Sequence, residues 1–255
     1  MMKVVQAGQF RGQFKQPLRN VYIYAPTIIW VNQGSKQLWW HDTSRGYTPK
    51  DWLVIPASHY LTFVNVPEHA DFYSRTLTFF TPPSNELLAR SQKEALNDEP
   101  RITVTPQLAF CFNTLFDMNQ KGLSQHAQRR FLEGFYEELA EMNQLYLLFP
   151  GGNRSLKERL AQYFSVNPGD AHPIETVAQH FSMSRATLTR KLAAEDASFR
   201  HILTHVRMVY ALSLMQEHRN QIDLALRCGY QSEARFSLKF KETFGLTPRQ
   251  YLKTL

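Results

Sequence analysis

The sequence predicts an α+β protein built as a strand-rich N-terminal half followed by an all-helical C-terminal part. Three observations predict it. Short runs rich in Val, Ile, Tyr, Phe and Trp crowd the first 80 residues, as in a small barrel or sandwich. Helical spacing takes over after Pro82-Pro83. The charge is also uneven. Residues 1–150 carry 14 Lys and Arg against 13 Asp and Glu, whereas residues 151–255 carry 15 against 9, so most of the +7 lies at the C-terminal end. That asymmetry suggests a nucleic-acid-binding part joined to a nearly neutral one.

The composition bounds the rest. A hydrophobic share of 43% is enough to bury a core over 255 residues. No apolar run approaches the ~18 residues of a membrane helix. The N-terminus lacks the basic-then-apolar pattern of a signal peptide. Cys111 and Cys228 lie far apart without metal-ligand spacing, which suits a reducing cytoplasm.

In order along the chain, strands are predicted at Val21–Tyr24, Thr27–Val31, Gln37–His41, Trp52–Ile55, Leu61–Val66 and Phe72–Phe80. Turn residues, 32–35 and 43–46, separate them. Helices are predicted at Ser84–Leu96, Pro106–Met118 and Ser124–Phe149. In the last of these, Phe131, Phe135, Leu139, Met142, Tyr146 and Phe149 recur every three or four residues and so share one helical stripe. The stripe is either a dimer seam, with Phe131, Phe135, Leu139 and Met142 at its centre, or a helix packed on the strands. Trp30, Trp39, Trp40 and Trp52 cluster among the strands. They read as core, or, for Trp30, Trp39 and Trp52, as the wall of a ligand pocket. Pro150-Gly151-Gly152-Asn153 breaks the pattern and divides residues 1–150 from 151–255.

The C-terminal part contains a degenerate repeat. In its first copy, about 174–193, Ile174, Val177 and Ala178 face inward. Phe181-Ser182-Met183 turns, Ser184 caps a second helix, and Leu188 and Leu192 are its buried positions. In its second copy, about 221–244, Ile222 and Ala225 face inward, and Cys228-Gly229-Tyr230 turns with Gly229 free to adopt left-handed backbone. Ser232 then caps a helix that buries Phe236 and Phe240. A short helix, a tight turn and an exposed basic second helix make the helix-turn-helix plan, in which the second helix can enter a major groove. Between the copies, Phe199–Gln216 reads as an amphipathic helix of roughly 27 Å. That length suits two units set about one DNA turn apart. Thr247-Pro248-Arg249-Gln250 signals the start of a last helix.

Residues from about 154 to 255 resemble the DNA-binding domain of the AraC/XylS family of transcription regulators. The signature is Ile222, Ala225, Gly229-Tyr230, Ser232, Phe236-Ser237, Phe240-Lys241, Phe244-Gly245, Thr247-Pro248 and Tyr251. The N-terminal half is similar to the family only in layout. The resemblance implies a cupin-like β-barrel with flanking helices in residues 1–150, which senses a small-molecule effector, forms a homodimer, or both. It also implies promoter binding in the cytoplasm, mostly as an activator contacting RNA polymerase, with no cofactor. The family often places Arg two residues after the aromatic of the second recognition helix. Here that place is Leu238, while the first unit keeps Arg190.

The expected partner is double-stranded DNA, read by Ser184, Arg185, Ala186, Thr189, Arg190 and Lys191 of the first unit. The second unit offers Ser232, Glu233, Ala234, Arg235, Ser237, Lys239 and Lys241. Arg185, Thr189 and Arg190 are the expected base readers. Glu233 suits cytosine N4 and Ala234 a thymine methyl. Lys191, Arg235, Lys239 and Lys241 suit phosphates. His41, His59 and His69 lack a metal-binding pattern, and His201 and His205, four apart, lack a third ligand, so no metal is expected. Two readings compete with specific regulation: a non-specific architectural DNA binder, and a DNA-repair enzyme with an AraC-like domain, which would need more cysteines.

Overall fold

The computed structural model describes residues 3–41, 43–92, 99–151, 154–217 and 223–255. Among the described residues, nine strands come first: β1 (Val5–Gly12), β2 (Gln16–Ile23), β3 (Thr27–Gln33), β4 (Ser35–Trp40), β5 (Thr43–Tyr47), β6 (Asp51–Ile55), β7 (His59–Val66), β8 (Phe72–Phe79) and, after the first helix, β9 (Arg101–Thr103). They pair into two antiparallel sheets, β1-β8-β3-β6-β9 and β2-β7-β4-β5. Hydrogen bonds do not close them into one barrel, so the expected barrel is an open one.

Alternation along the strands sorts the core into layers. On β6, Leu53 and Ile55 join Ile29, Leu38 and Phe63 between the sheets. Trp52 and Val54 turn the other way, beneath the helices α1 (Asn85–Gln92), α2 (Pro106–Gln120) and α3 (Gln125–Glu141). A strand buried on both faces reads as a continuous apolar run, which is why Trp52–Ile55 was legible. Three strands were not: β1, β5 and the short edge strand β9. β1 carries Gly8 and Gly12 and mostly half-exposed side chains, yet it pairs with β8 along its whole length, from Val5 opposite Phe79 to Gly12 opposite Phe72. Asn119 of α2 secures this edge strand by accepting from the Ala7 N–H and donating to the Val5 carbonyl. The segment read as a turn at 43–46 is strand β5, paired with β4.

The stripe on α3 faces inward. Phe135 and Leu139 are fully buried, and the Phe135 ring lies 5.9 Å from Trp52 and 6.1 Å from Phe79. Packing within the chain therefore uses two of the four residues expected at a dimer seam, Phe135 and Leu139. Phe131 is half-buried and Met142 exposed. The helix also ends earlier than its periodicity suggested, at Glu141. Asn143 takes left-handed backbone, and Tyr146 lies in a separate 3-10 turn, Leu145–Leu147. Leu96, Gly152, Asn153 and Ile222 lie outside the described residues.

The C-terminal part is helical: α4 (Leu156–Val166), α5 (Ile174–His180), α6 (Arg185–Ala193), α7 (Phe199–Glu217), α8 (Leu224–Arg227), α9 (Glu233–Phe244) and α10 (Pro248–Leu252). Thr247 and Gln250 form the expected reciprocal cap on α10. The division at 150 is not a break in packing. Met208, Leu212 and Met215 of α7 and Phe236, Phe240 and Tyr251 share one apolar cluster with Leu18, Val21 and Leu61 of the strands.

Candidate nucleic-acid interface and effector cavity

Each recognition helix is set by a capped turn. In the first unit Ser182 takes left-handed backbone, φ 56°, and the Ser184 hydroxyl accepts from the Thr187 N–H at 3.2 Å. In the second, Gly229 occupies the equivalent turn at φ 78°, and the Ser232 hydroxyl accepts from the Arg235 N–H at 3.4 Å. Small residues, Ala178 and Ala225, are buried where the paired helices cross. Leu188 and Leu192 anchor α6, and Phe236 and Phe240 anchor α9. Burial of those faces fixes which residues point out.

On α6 the outward residues are Arg185, Ala186, Thr189, Arg190 and Lys191, with Ser184 at the cap. On α9 they are Glu233, Ala234, Arg235, Leu238 and Lys241, with Ser232 at the cap and Ser237 and Lys239 half-buried. Among the described residues, two ion pairs involve these helices: Arg185 with Glu175 at 2.9 Å, and Lys239 with Glu242. Arg185 and Lys239 thus have intramolecular anions to exchange for a phosphate. The two exposed helices each present cations beside short side chains, an arrangement suited to groove insertion.

A second feature left almost no trace in the sequence. A cavity of about 100 Å³ lies between the sheets and is roofed by the helical part. Leu18, Tyr22, Ile29, Lys36, Leu61, Phe63 and Asn65 line it from the strands, and Val209, Leu212, Ser213 and Tyr251 from α7 and α10. Trp30, Trp39 and Trp52 are not among its lining residues. Trp52 is fully buried under the helices and Trp39 is exposed, because odd and even positions of a strand face opposite ways.

Lys36 is the polar centre of the cavity. It is buried, and burial alone pushes its ammonium down from 10.5 to about 7. Its Nζ donates to Asn65 Oδ1 and sits 3.5 Å from the centre of the Phe63 ring. Asn65 Nδ2 donates to Gln16 Oε1 at 2.9 Å, and Gln16 Nε2 donates to Thr254 Oγ1 at 3.0 Å. A hydrogen-bonded line therefore runs from the cavity to the C-terminal end of the helical part. The one sequence signal for Lys36 was its strand parity with Leu38, which also points inward.

Residues 177–254 match the family described as "Helix-turn-helix domain". Porin thermoregulatory protein EnvY of Escherichia coli is 38% identical over 80 residues, 31% of this chain and 32% of its own. The transcriptional regulator GadX of E. coli is 31% identical over 98 residues, 38% of this chain and 36% of its own. Residues 177–254 are an AraC-family helix-turn-helix domain. The matched region spans about a third of the length of these curated relatives. The AraC-family domain also sits within a shared overall fold. ToxT from Vibrio cholerae, crystallised with an unsaturated fatty acid bound, superposes over 98% of this chain and 95% of its own, with a TM-score of 0.63 at 16% identity. That likeness extends the fold, strands and helices together, beyond the AraC-family domain. Among the described residues no helix is long and apolar enough to cross a membrane.

Proposed function

We propose that this protein is a cytoplasmic, sequence-specific regulator of transcription that reads duplex DNA with α6 and α9. The observation that carries the reading is the pair of capped recognition helices, each turning a basic, solvent-exposed face outward. At roughly 28 Å, α7 is about the length needed to serve two neighbouring major grooves on one face. Arg190 presents a fork to guanine O6 and N7, whereas Leu238 offers only apolar contact, as with a thymine methyl. The first unit is therefore the stricter reader. Activation through contact with RNA polymerase follows from the family resemblance.

The cavity supports a small-molecule effector with an anionic head and an apolar body. Among the described residues no carboxylate pairs with Lys36, and a buried ammonium so placed is a costly group that an anion would pair. The apolar wall formed by Leu18, Leu61 and Phe63 suits the remainder. ToxT was crystallised with such an amphiphile. At about 100 Å³ the cavity is below the usual ligand-pocket size, so a longer effector must part strands from α7 and α10. Occupancy would thereby be felt by the DNA-binding units.

Both thiols work against the repair-enzyme reading. Burial pushes Cys228 up to about 12 and raises Cys111 also, away from a nucleophilic thiolate. The deciding experiment selects duplexes from a random pool with the full chain, then challenges the selected complex with bulk DNA. Retention against a large excess supports specific reading. Ready displacement with no enriched sequence supports an architectural binder instead.

A further inference from the structure

Two reading heads impose a spacing requirement on DNA. Inserting one base pair between half-sites shifts the second by roughly 3.4 Å and turns it by roughly 35°. Heads joined loosely follow that change, whereas heads locked together do not. What locks the heads here is a matter of contacts beside the joining helix.

The core of the first unit gathers around Ile202 and Val206 of α7, and that of the second around Met208 and Leu212; Val209 packs against both. A separate junction joins the units off the axis of α7. The loop after α4 lies directly on the turn of the second unit. A Cβ placed on Gly169 would stand 2.2 Å from the Arg227 carbonyl oxygen, and one on Gly229 would stand 2.8 Å from the Gly169 oxygen. Arg207, half-buried on α7, fastens this approach. Its Nε donates to the Pro168 carbonyl and its Nη2 to the Asp170 carbonyl, both at 2.9 Å. The same guanidinium lies where a Gly229 side chain would begin, 2.5 Å from that position. One planar fork therefore touches the first unit's loop, the second unit's turn and the helix between them. An ammonium gathers its donors on one nitrogen and cannot reproduce a rigid planar fork that donates from two.

We propose that Arg207 is a positioning residue that fixes the register between the recognition helices, and so the half-site spacing this protein accepts. The inference rests on the DNA-binding reading above. Arg207 acts on DNA only through the placement of α6 and α9, so its removal changes spacing rather than base preference.

The test selects duplexes from a randomised pool with the full-length wild type, Arg207→Ala and Gly169→Ala, after thermal melting has shown each to be folded. The wild type is expected to enrich paired half-sites at a single spacing, and one inserted base pair should weaken binding about tenfold or more. Arg207→Ala should enrich the same half-site bases over two or more neighbouring spacings, with the insertion costing less than about threefold. Gly169→Ala, which keeps the Arg207 side chain but forces the loop it holds away from Arg227, should broaden spacing likewise. Folded variants that both keep the wild-type spacing and the wild-type insertion cost overturn the inference and leave the DNA-binding reading intact. Failure of the wild type to enrich any sequence overturns both.

Discussion

Arg190 and Leu238 hold equivalent places two residues beyond the buried anchors Leu188 and Phe236, and both project to solvent, Leu238 being 61% exposed. Removing either side chain therefore leaves the core untouched. Arg190→Ala should cost about 1–3 kcal/mol on the selected site and relax preference at one base pair. Leu238→Ala should cost less and relax little; binding to all single-base variants of the site measures both. Equal relaxation in the two variants would show that the units read equally strictly. Lys36 makes a different kind of prediction. Its ammonium sits at about 7 in the folded protein against 10.5 as its ordinary value. The unfolded chain therefore holds the proton more tightly between those values. The burden of Lys36 on stability is complete below about pH 7 and fades as pH rises toward 10.5. Lys36→Met should stabilise the ligand-free protein at pH 7, and its advantage should shrink by pH 10, as followed by denaturant unfolding at each pH. An advantage independent of pH would contradict the buried ammonium. The same variant should lose the rise in melting temperature that an anionic amphiphile gives the wild type.

At the scale of the element, α3 separates what periodicity shows from what it hides. The stripe was legible because apolar residues recur every three or four positions, but a stripe looks the same whether a second copy or the chain's own sheet covers it. The contacts of Phe135 with Trp52 and Phe79 set the centre of the stripe on the chain's own sheet, while Met142 stays exposed. Leu139→Glu should consequently destabilise the fold by about 3 kcal/mol or more, since it buries an unpaired charge. A folded variant with a normal melting temperature but altered sedimentation would return the stripe to an association role. The turns and recognition helices of the two helix-turn-helix units were legible in the sequence. Their caps, small crossing residues and left-handed turn at Gly229 are local chemistry. Ser182 matches Gly229 in backbone without being glycine, so that half of the repeat was harder to read. β1, β5 and β9 were hidden because edge strands hold their place by backbone pairing, which leaves little trace in side-chain type. Lys36 was hidden because a lysine in a strand ordinarily faces water.

Across the whole molecule, one apolar cluster crosses from the strands into α7, α9 and α10. The break at Pro150 divides the chain without dividing that core, a relation that no reading of linkers reveals. A fragment 154–255 contains both units and should retain affinity for DNA. It should also melt well below the intact protein, because Leu212, Met215 and Tyr251 lose their cover from Leu18 and Leu61. A fragment as stable as the full chain would mean that the shared cluster contributes little. The same continuity lets a ligand beside Lys36 act on DNA binding, since the cavity is walled by both parts. The central claim is that two recognition helices read one face of a duplex together. Its most direct test is chemical footprinting of the full chain on a selected duplex. Two protected major-groove segments are expected about one helical turn, roughly 10 base pairs, apart on one face, with protection of only one of them weakened by Arg190→Ala. A single protected segment, or uniform protection without position, would contradict it.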